Sequence, residues 1–278
     1  MESARKVGIV GYGHIGKYLV DCILDHPNLE LAFVWNRTPS VMQGKVEEGY
    51  ILTDLAEFVH IEVDLIVEVA HPSISMQYGP LFLQHADYMM GSPTALADRK
   101  LETTLRKLSA EYSHAVYIPS GAFWGGEDIR KMADMGTLLG LNISMTKHPS
   151  SFKLLSPLME KNENVVQRTV LYEGPVRELC RLAPNNVNTM AAGAVAAHNL
   201  GFDGVQGSII SDPNLPDWHV VEVQVTGPTN PKTDQTFTVK TVRQNPSQAG
   251  SVTGSATFKS FFSSILGATG KDSGFHLC

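Results

Sequence analysis

Residues 7–16, Val-Gly-Ile-Val-Gly-Tyr-Gly-His-Ile-Gly, constrain the chain more than any other stretch. Val7, Ile9 and Val10 are apolar and β-favouring, which predicts a short buried strand. Gly11, Gly13 and Gly16 then complete a G-x-G-x-x-G pattern, with His14 and Ile15 inside it. Residues 17–24 follow with apolar positions at helical spacing. Strand, glycine turn and helix in this order form the context that a dinucleotide-binding fingerprint requires. Gly11 permits the tight turn, Gly13 lets the backbone approach a pyrophosphate, and Gly16 lets the helix pack on the strand. The helix N-terminus adds free N–H groups and a positive dipole end for the phosphates.

Leu31–Trp35 predicts the second strand, which ends in Asn36-Arg37-Thr38. About 20 residues past the last fingerprint glycine, an Asp or Glu ordinarily bonds the ribose 2′-hydroxyl of NAD. Here the position holds Asn36, followed by Arg37. A neutral amide does not repel a 2′-phosphate, and a guanidinium grips one in a bidentate way. NADP is therefore the expected cofactor; the alternative is that Arg37 is a solvated loop residue beside the adenine and that NAD and NADP are both accepted.

Further along, Asp64–Ala70 is nearly continuous in apolar residues, as a parallel strand buried on both faces should be. It runs through Ala70 into His71-Pro72-Ser73, a loop at the C-terminal edge of the sheet. A helix is expected over Tyr78–His85, a strand over Asp87–Met90 ending in Gly91-Ser92, a helix over Arg99–Tyr112 and a sixth strand over Ala115–Ile118. In open α/β sheets ligands sit at that C-terminal edge, which makes Ala70, His71, Pro72 and Ser92 candidate cofactor contacts. Strands alternating with helices at this spacing imply a doubly wound parallel sheet of Rossmann type, over about residues 1–120.

After residue 120 the pattern changes. A helix is predicted over Gly125–Leu139, followed by alternating strands typical of an antiparallel sheet: Asn142–Lys147, Val165–Glu173, Ser208–Ser211, Val220–Thr226 and Phe237–Arg243. An Ala- and Gly-rich helix, Val187–Leu200, interrupts them. These elements define an α+β domain over about 121–249. The helix Ala256–Leu266, within residues 250–278, is expected to return to the first domain, and the active site to lie between the two.

Candidate chemistry in this half is sparse. Lys147-His148 opens a polar loop whose cations suit a carboxylate, although a solvated loop explains them equally well. Asn186 and Asn188 sit at a helix start, where N-capping alone accounts for one of them. His219 shares a strand face with Val221, Val223 and Val225 by period-2 alternation. It is either a core histidine with a satisfied hydrogen bond or a general acid/base in a dry cleft. Nucleophile elbows, P-loops, paired glycosidase carboxylates and zinc spacings are missing from the sequence. A dinucleotide fold without its own nucleophile points to hydride transfer, in which the cofactor carries the chemistry.

The totals exclude other classes. The 278 residues carry a formal charge of −6 and no basic run, against nucleic-acid binding. No apolar stretch approaches the roughly 20 residues of a membrane span. The first strand begins within a few residues of Met1, which leaves no room for a targeting peptide. Cys22, Cys180 and Cys278 are odd in number and far apart, as expected in a reducing, cytoplasmic compartment.

Several stretches together resemble the L-aspartate dehydrogenase family, the animal aspartate dehydrogenase domain-containing proteins in particular. They are residues 11–16, Val-Glu-Val-Ala-His-Pro at 67–72, Pro-Ser-Gly-Ala-Phe-Trp-Gly-Gly-Glu-Asp at 119–128, Thr-Lys-His-Pro at 146–149, Pro-Asn-Asn-Val-Asn at 184–188 and Asp-Pro followed by His219. They occur in the family's order over nearly the whole chain. The resemblance implies a catalytic role for His219, cofactor contacts at Ala122 and Asn188, a homodimer, and L-aspartate as substrate. Charge matching to its two carboxylates, apart from the resemblance, makes Lys147 and His148 the expected substrate-binding residues. Two alternatives stay open: a dehydrogenase of the same architecture acting on another small acid, and a redox sensor that binds dinucleotide without turnover.

Overall fold

A computed structural model of the chain describes residues 4–248, 250–252 and 256–278. In chain order the strands are β1 (Arg5–Val10), β2 (Leu29–Trp35), β3 (Ile51–Leu52), β4 (Leu65–Glu68), β5 (Asp87–Met90), β6 (Ala115–Ile118), β7 (Gly140–Lys147), β8 (Thr169–Pro175), β9 (Gln206–Ser211), β10 (Trp218–Asn230), β11 (Gln235–Pro246) and β12 (Gly274–Leu277). The α-helices are α1 (His14–Leu24), α2 (Pro72–His85), α3 (Arg99–Tyr112), α4 (Gly126–Asp134), α5 (Leu158–Glu163), α6 (Val176–Leu182), α7 (Asn188–Ala196), α8 (Gly201–Gly204) and α9 (Ala256–Gly267). The chain divides into two compact units. One ends at Pro119 and takes in Phe261–His276 and Cys278; the other runs Ser120–Ser260 and takes in Leu277.

The first unit is built on a seven-stranded sheet in the order β12-β6-β5-β4-β1-β2-β3. β1 pairs in parallel with both β2 and β4, so the strand order reverses between β1 and β4. That reversal opens a crevice at the carboxyl ends of the two strands. Val7, Ile9, Leu65 and Val67 are fully buried and pack with Leu19 and Ile23 of α1 and with Phe261 and Ile265 of α9. Across the sheet, Phe58 lies 6.3 Å from Phe33 and 5.0 Å from Phe82, ring centre to ring centre. Phe58 is wholly buried at the centre of this aromatic cluster. Phe58→Ala is expected to lower unfolding stability by about 3–5 kcal/mol, because a large cavity opens with little room to collapse. Denaturant unfolding measures it.

The second unit carries a five-stranded sheet in the order β11-β10-β7-β9-β8. β10 is antiparallel to β7 and β11, and β8 to β9, but β7 and β9 run parallel. The sheet is therefore mixed, not antiparallel as its alternating pattern suggests. The connection from β7 to β9 holds α5, β8, α6, α7 and α8, long enough for the crossover that parallel strands require.

Other boundaries depart from the sequence pattern for local reasons. α2 begins at Pro72, six residues before Tyr78. Proline suits the first helical turn, and the His71 side chain caps it by accepting the Ser73 N–H. α4 stops at Asp134 rather than Leu139, because Gly136 takes a left-handed φ of 65° and breaks the helix. The Ala-rich helix ends at Ala196 and resumes as α8. β8 begins at Thr169 instead of Val165.

Candidate functional site

The crevice of the first unit is shaped by the turn that follows β1. Gly11 adopts φ 115° and donates its N–H to Trp35 O at 2.8 Å. A side chain there would lie 2.8 Å from the Ala70 nitrogen, and one at Gly16 would lie 1.9 Å from the Gly11 carbonyl. Both positions therefore require glycine, for backbone angle and close approach respectively. Gly13 has open space where a side chain would stand. Gly13 and His14 are exposed and Ile15 is half-buried. The first helical bond of α1 runs from Lys17 N–H to Gly13 O, leaving the preceding amides to a ligand. The first turn of α1 carries no acidic residue to repel an anion. This open, amide-lined cradle fits a dinucleotide pyrophosphate.

Beside it, Ala70 and His71 are exposed and Pro72 is buried at the start of α2. Ser92 is buried, its hydroxyl and N–H both directed at Glu68. Asn36 accepts the Tyr12 N–H on Oδ1 at 3.0 Å and donates to Thr38 O at 3.2 Å. Its amide thus ties the glycine turn at Tyr12 to the loop after β2 at Thr38. Arg37 is exposed.

In the second unit, antiparallel pairing of β10 with β7 sets Val225, Val223 and Val221 opposite Leu141, Ile143 and Met145. One step beyond the Val220–Thr146 pair, His219 faces Lys147 on the same buried surface. Helix α7 covers that surface, so close that a side chain at Gly193 would lie 2.3 Å from Ile143. Asn186 Oδ1 accepts the Lys153 N–H at 2.9 Å, which ties the chain before α7 to the segment that follows β7. Side-chain capping at this helix start explains neither asparagine: the N-cap residue is Val187 and makes no side-chain bond. Asn188 Oδ1 and His219 Nε2 are both buried with no hydrogen-bond partner among the described residues.

Lys147 is the last residue of a strand and is 3% exposed, so the loop that its neighbours suggest begins one residue later. Its Nζ donates to Val252 O at 3.0 Å and lies 5.7 Å from the Phe152 ring centre. Burial pushes its amine down to about 7. His219 is driven down to about 4, first by burial and then by the Lys147 charge, while a hydrogen bond to the Ser251 backbone pushes the other way. With Nε2 unpartnered, that bond falls to Nδ1–H, which leaves a lone pair on Nε2. The site therefore holds a neutral imidazole with its basic nitrogen free, beside a lysine that gains or loses its proton near neutrality. His148 spends Nδ1 on Ser150, accepting the Ser150 N–H at 3.3 Å.

Two side chains escaped the sequence reading. Glu68 is buried at the end of β4, and its only sequence signal is one charge closing an otherwise apolar strand. Arg243 shares the His219 face through its pairing with Val221. Its Nη1 donates to the Gly121 carbonyl at 2.8 Å, next to Ala122, and its Nε to Asn245 Oδ1 at 2.9 Å. A cavity of about 590 Å³ opens beside Arg243, Gly121 and Phe123.

Comparison with known proteins identifies the family of the chain. Residues 128–264 match the model of the aspartate dehydrogenase C-terminal domain, and residues 11–119 match that of the homoserine dehydrogenase NAD-binding domain. The chain is 54% identical to an aspartate dehydrogenase domain-containing protein of Xenopus tropicalis, over 100% of this chain and 99% of that one. It is 32% identical to an L-aspartate dehydrogenase of Methanococcoides burtonii, over 82% and 91%. The fold resembles the crystal structure of Thermotoga maritima aspartate dehydrogenase, with a TM-score of 0.70 at 22% identity over 96% of this chain and 97% of that one. A nicotinamide-dinucleotide domain followed by this mixed α/β unit defines an NAD(P)-dependent oxidoreductase. Within that class, the chain belongs to the aspartate dehydrogenase family. Among the described residues, no helix is long and apolar enough to cross a membrane.

Proposed function

We propose that the protein oxidatively deaminates L-aspartate, reversibly, to oxaloacetate and ammonia by way of iminosuccinate. The observation that carries this reading is the neutral His219 Nε2, without a partner among the described residues, beside buried Lys147 on one sheet face. A relative at 32% identity that is named L-aspartate dehydrogenase supports the choice of substrate.

The glycine turn, His14 and Ile15 would hold the dinucleotide pyrophosphate, and Ala70, His71, Ala122 and Asn188 would contact the rest. When bound, the nicotinamide supplies the hydride acceptor. L-Aspartate loses a hydride from Cα and a proton from its neutral amine, giving the imine. Lys147 in its charged form binds a substrate carboxylate through a charge-assisted hydrogen bond. The arriving negative charge raises the pKa values of both Lys147 and His219. His219 Nε2 would take a proton from the water that adds to the imine carbon and return it to the nitrogen, and the resulting carbinolamine collapses to the carbonyl as its hydroxyl proton passes to the departing ammonia. Asn188 Oδ1, buried without a partner among the described residues, is an acceptor suited to an amide or hydroxyl donor.

For cofactor preference, the Asn36-Arg37 pair favours NADP. Asn36 is occupied by Tyr12 and Thr38, so recognition of a 2′-phosphate falls to exposed Arg37. Arg37→Asp should weaken NADP⁺ binding about tenfold or more and leave NAD⁺ binding nearly unchanged, as read by calorimetry. Purified protein with L-aspartate and NADP⁺ or NAD⁺ should form reduced cofactor, seen by near-ultraviolet absorbance, together with an equal amount of ammonia. No turnover in either direction by protein that binds the cofactor would overturn the assignment of aspartate.

A further inference from the structure

β4 is apolar through Leu65, Ile66 and Val67 and then ends on Glu68, which is wholly buried. Its carboxylate collects five hydrogen bonds. Oε1 accepts the Ala70 N–H at 2.7 Å, the His71 N–H at 2.9 Å and the Ser92 hydroxyl at 3.0 Å. Oε2 accepts the Ser92 N–H and the Ser75 hydroxyl, each at 3.0 Å. Behind Ser75, the Tyr88 hydroxyl donates to Ser75 Oγ at 2.8 Å. The backbone carbonyl of Glu68 accepts the Gly91 N–H at 2.8 Å.

One carboxylate thereby ties together three pieces of backbone at the carboxyl edge of the sheet. These are the turn after β4, the turn after β5 and the first turns of α2. Every partner is a neutral donor, and three of the five are backbone N–H groups that cannot rotate away. A buried carboxylate is expensive to keep without such donors, and an apolar residue would pack the strand end at less cost. What the carboxylate adds is geometry. The turn it holds is the one on which the glycine turn rests, since a side chain at Gly11 would meet the Ala70 backbone at 2.8 Å.

We infer that Glu68 is a positioning residue for the dinucleotide: by gathering the Ala70–His71 and Ser92 turns, it fixes the wall against which the pyrophosphate-binding turn is packed. The inference depends only on cofactor binding and stands apart from the choice of aspartate as substrate. Burial pushes the Glu68 carboxyl up to about 6, against the pull of its hydrogen bonds. The titratable groups around it are Tyr88, behind Ser75, and His71, whose exposed ring pairs with Ser73. Protonation leaves an O–H among groups that are themselves donors, so the turns loosen as Glu68 gains a proton.

Glu68→Gln tests the geometry. Each carboxylate oxygen accepts at least one fixed backbone N–H, so either orientation of the amide sets an NH₂ against an N–H donor. Calorimetric titration with NAD⁺ and NADP⁺ near neutral pH should show Kd raised about tenfold. Ser75→Ala, which removes one donor from a residue facing away from the ligand, should raise Kd by roughly threefold. Wild-type affinity should fall as pH drops through about 6. The Glu68→Gln profile should be flat there, with His71 present in both proteins. Folded Glu68→Gln protein with wild-type Kd and an unchanged pH profile overturns the inference. If Glu68→Gln does not fold, wild-type affinity that is constant between pH 5 and 7, together with wild-type Kd in Ser75→Ala, overturns it equally.

Discussion

His219→Ala is expected to lower kcat for L-aspartate by about 10²–10⁴-fold, the usual contribution of a positioned general base. Calorimetric Kd for the dinucleotide should stay at the wild-type value. The loss of stability should be small, because His219 Nε2 is buried with no partner among the described residues and its removal takes away an unsatisfied polar atom along with the Ser251 bond. A core histidine with both nitrogens satisfied would give the opposite pair of results, lost stability and retained turnover. The pH profile adds a second signature. In the free protein His219 lies at about 4, well below the 6.5 of an ordinary imidazole. The acid limb of kcat/KM should therefore show no histidine titration between pH 5 and 6.5. Stability follows the same shift. The unfolded chain binds the His219 proton below 6.5 and the folded chain only below about 4, so this residue makes stability rise with pH across that window. His219→Ala removes that slope.

The parts of the molecule governed by local periodicity were legible in the sequence. β1, the glycine turn and α1 follow from three glycines between a β-favouring run and a helical one. α3 spans the residues its 3.6-residue repeat predicts, Arg99–Tyr112, with Asp98 as its N-cap. Pairing across the second sheet was not legible, because alternation reports a half-buried face and says nothing of strand direction. The parallel β7–β9 contact is decided by the length of chain between them. Burial of polar groups was the other blind spot. Lys147 ends the strand expected over Asn142–Lys147 and also opens the polar run with His148 and Ser150, and nothing in that run tells of its burial. Asn36 sits where a ribose ligand is expected, yet its amide is taken up by Tyr12 and Thr38. Glu68 is one charge in an apolar run, and its five donors come from residues as far as 24 positions away. In each case a polar side chain's role is set by partners distant in sequence, which no spacing rule encodes.

Lys147→Met separates function from stability most sharply. Methionine matches the lysine stem in size and lacks the amine, so packing against Phe152 is kept. The amine is buried and ordinarily charged, and its one acceptor among the described residues is Val252 O at 3.0 Å. Its folded-state value of about 7 lies below the ordinary 10.5. Between those limits the unfolded chain holds the proton more tightly than the folded one, so stability rises with pH from about 7 to 10.5. Removing the amine abolishes this penalty, and Tm at neutral pH should rise on the order of 5 °C, with a flatter dependence on pH. Catalysis should move the other way. Loss of a charge-assisted bond to a substrate carboxylate should raise KM for L-aspartate about ten- to a hundredfold, with a smaller change in kcat. Wild-type KM should climb above neutral pH as free Lys147 loses its proton, and binding there should take up a proton from solution. KM of Lys147→Met should lack that climb. A more stable protein that binds its substrate poorly is the mark of a group kept for function at the expense of the fold. Unchanged KM in a stabilised Lys147→Met would instead place the substrate carboxylates elsewhere, with Arg243, on the same sheet face, as the next cation to test.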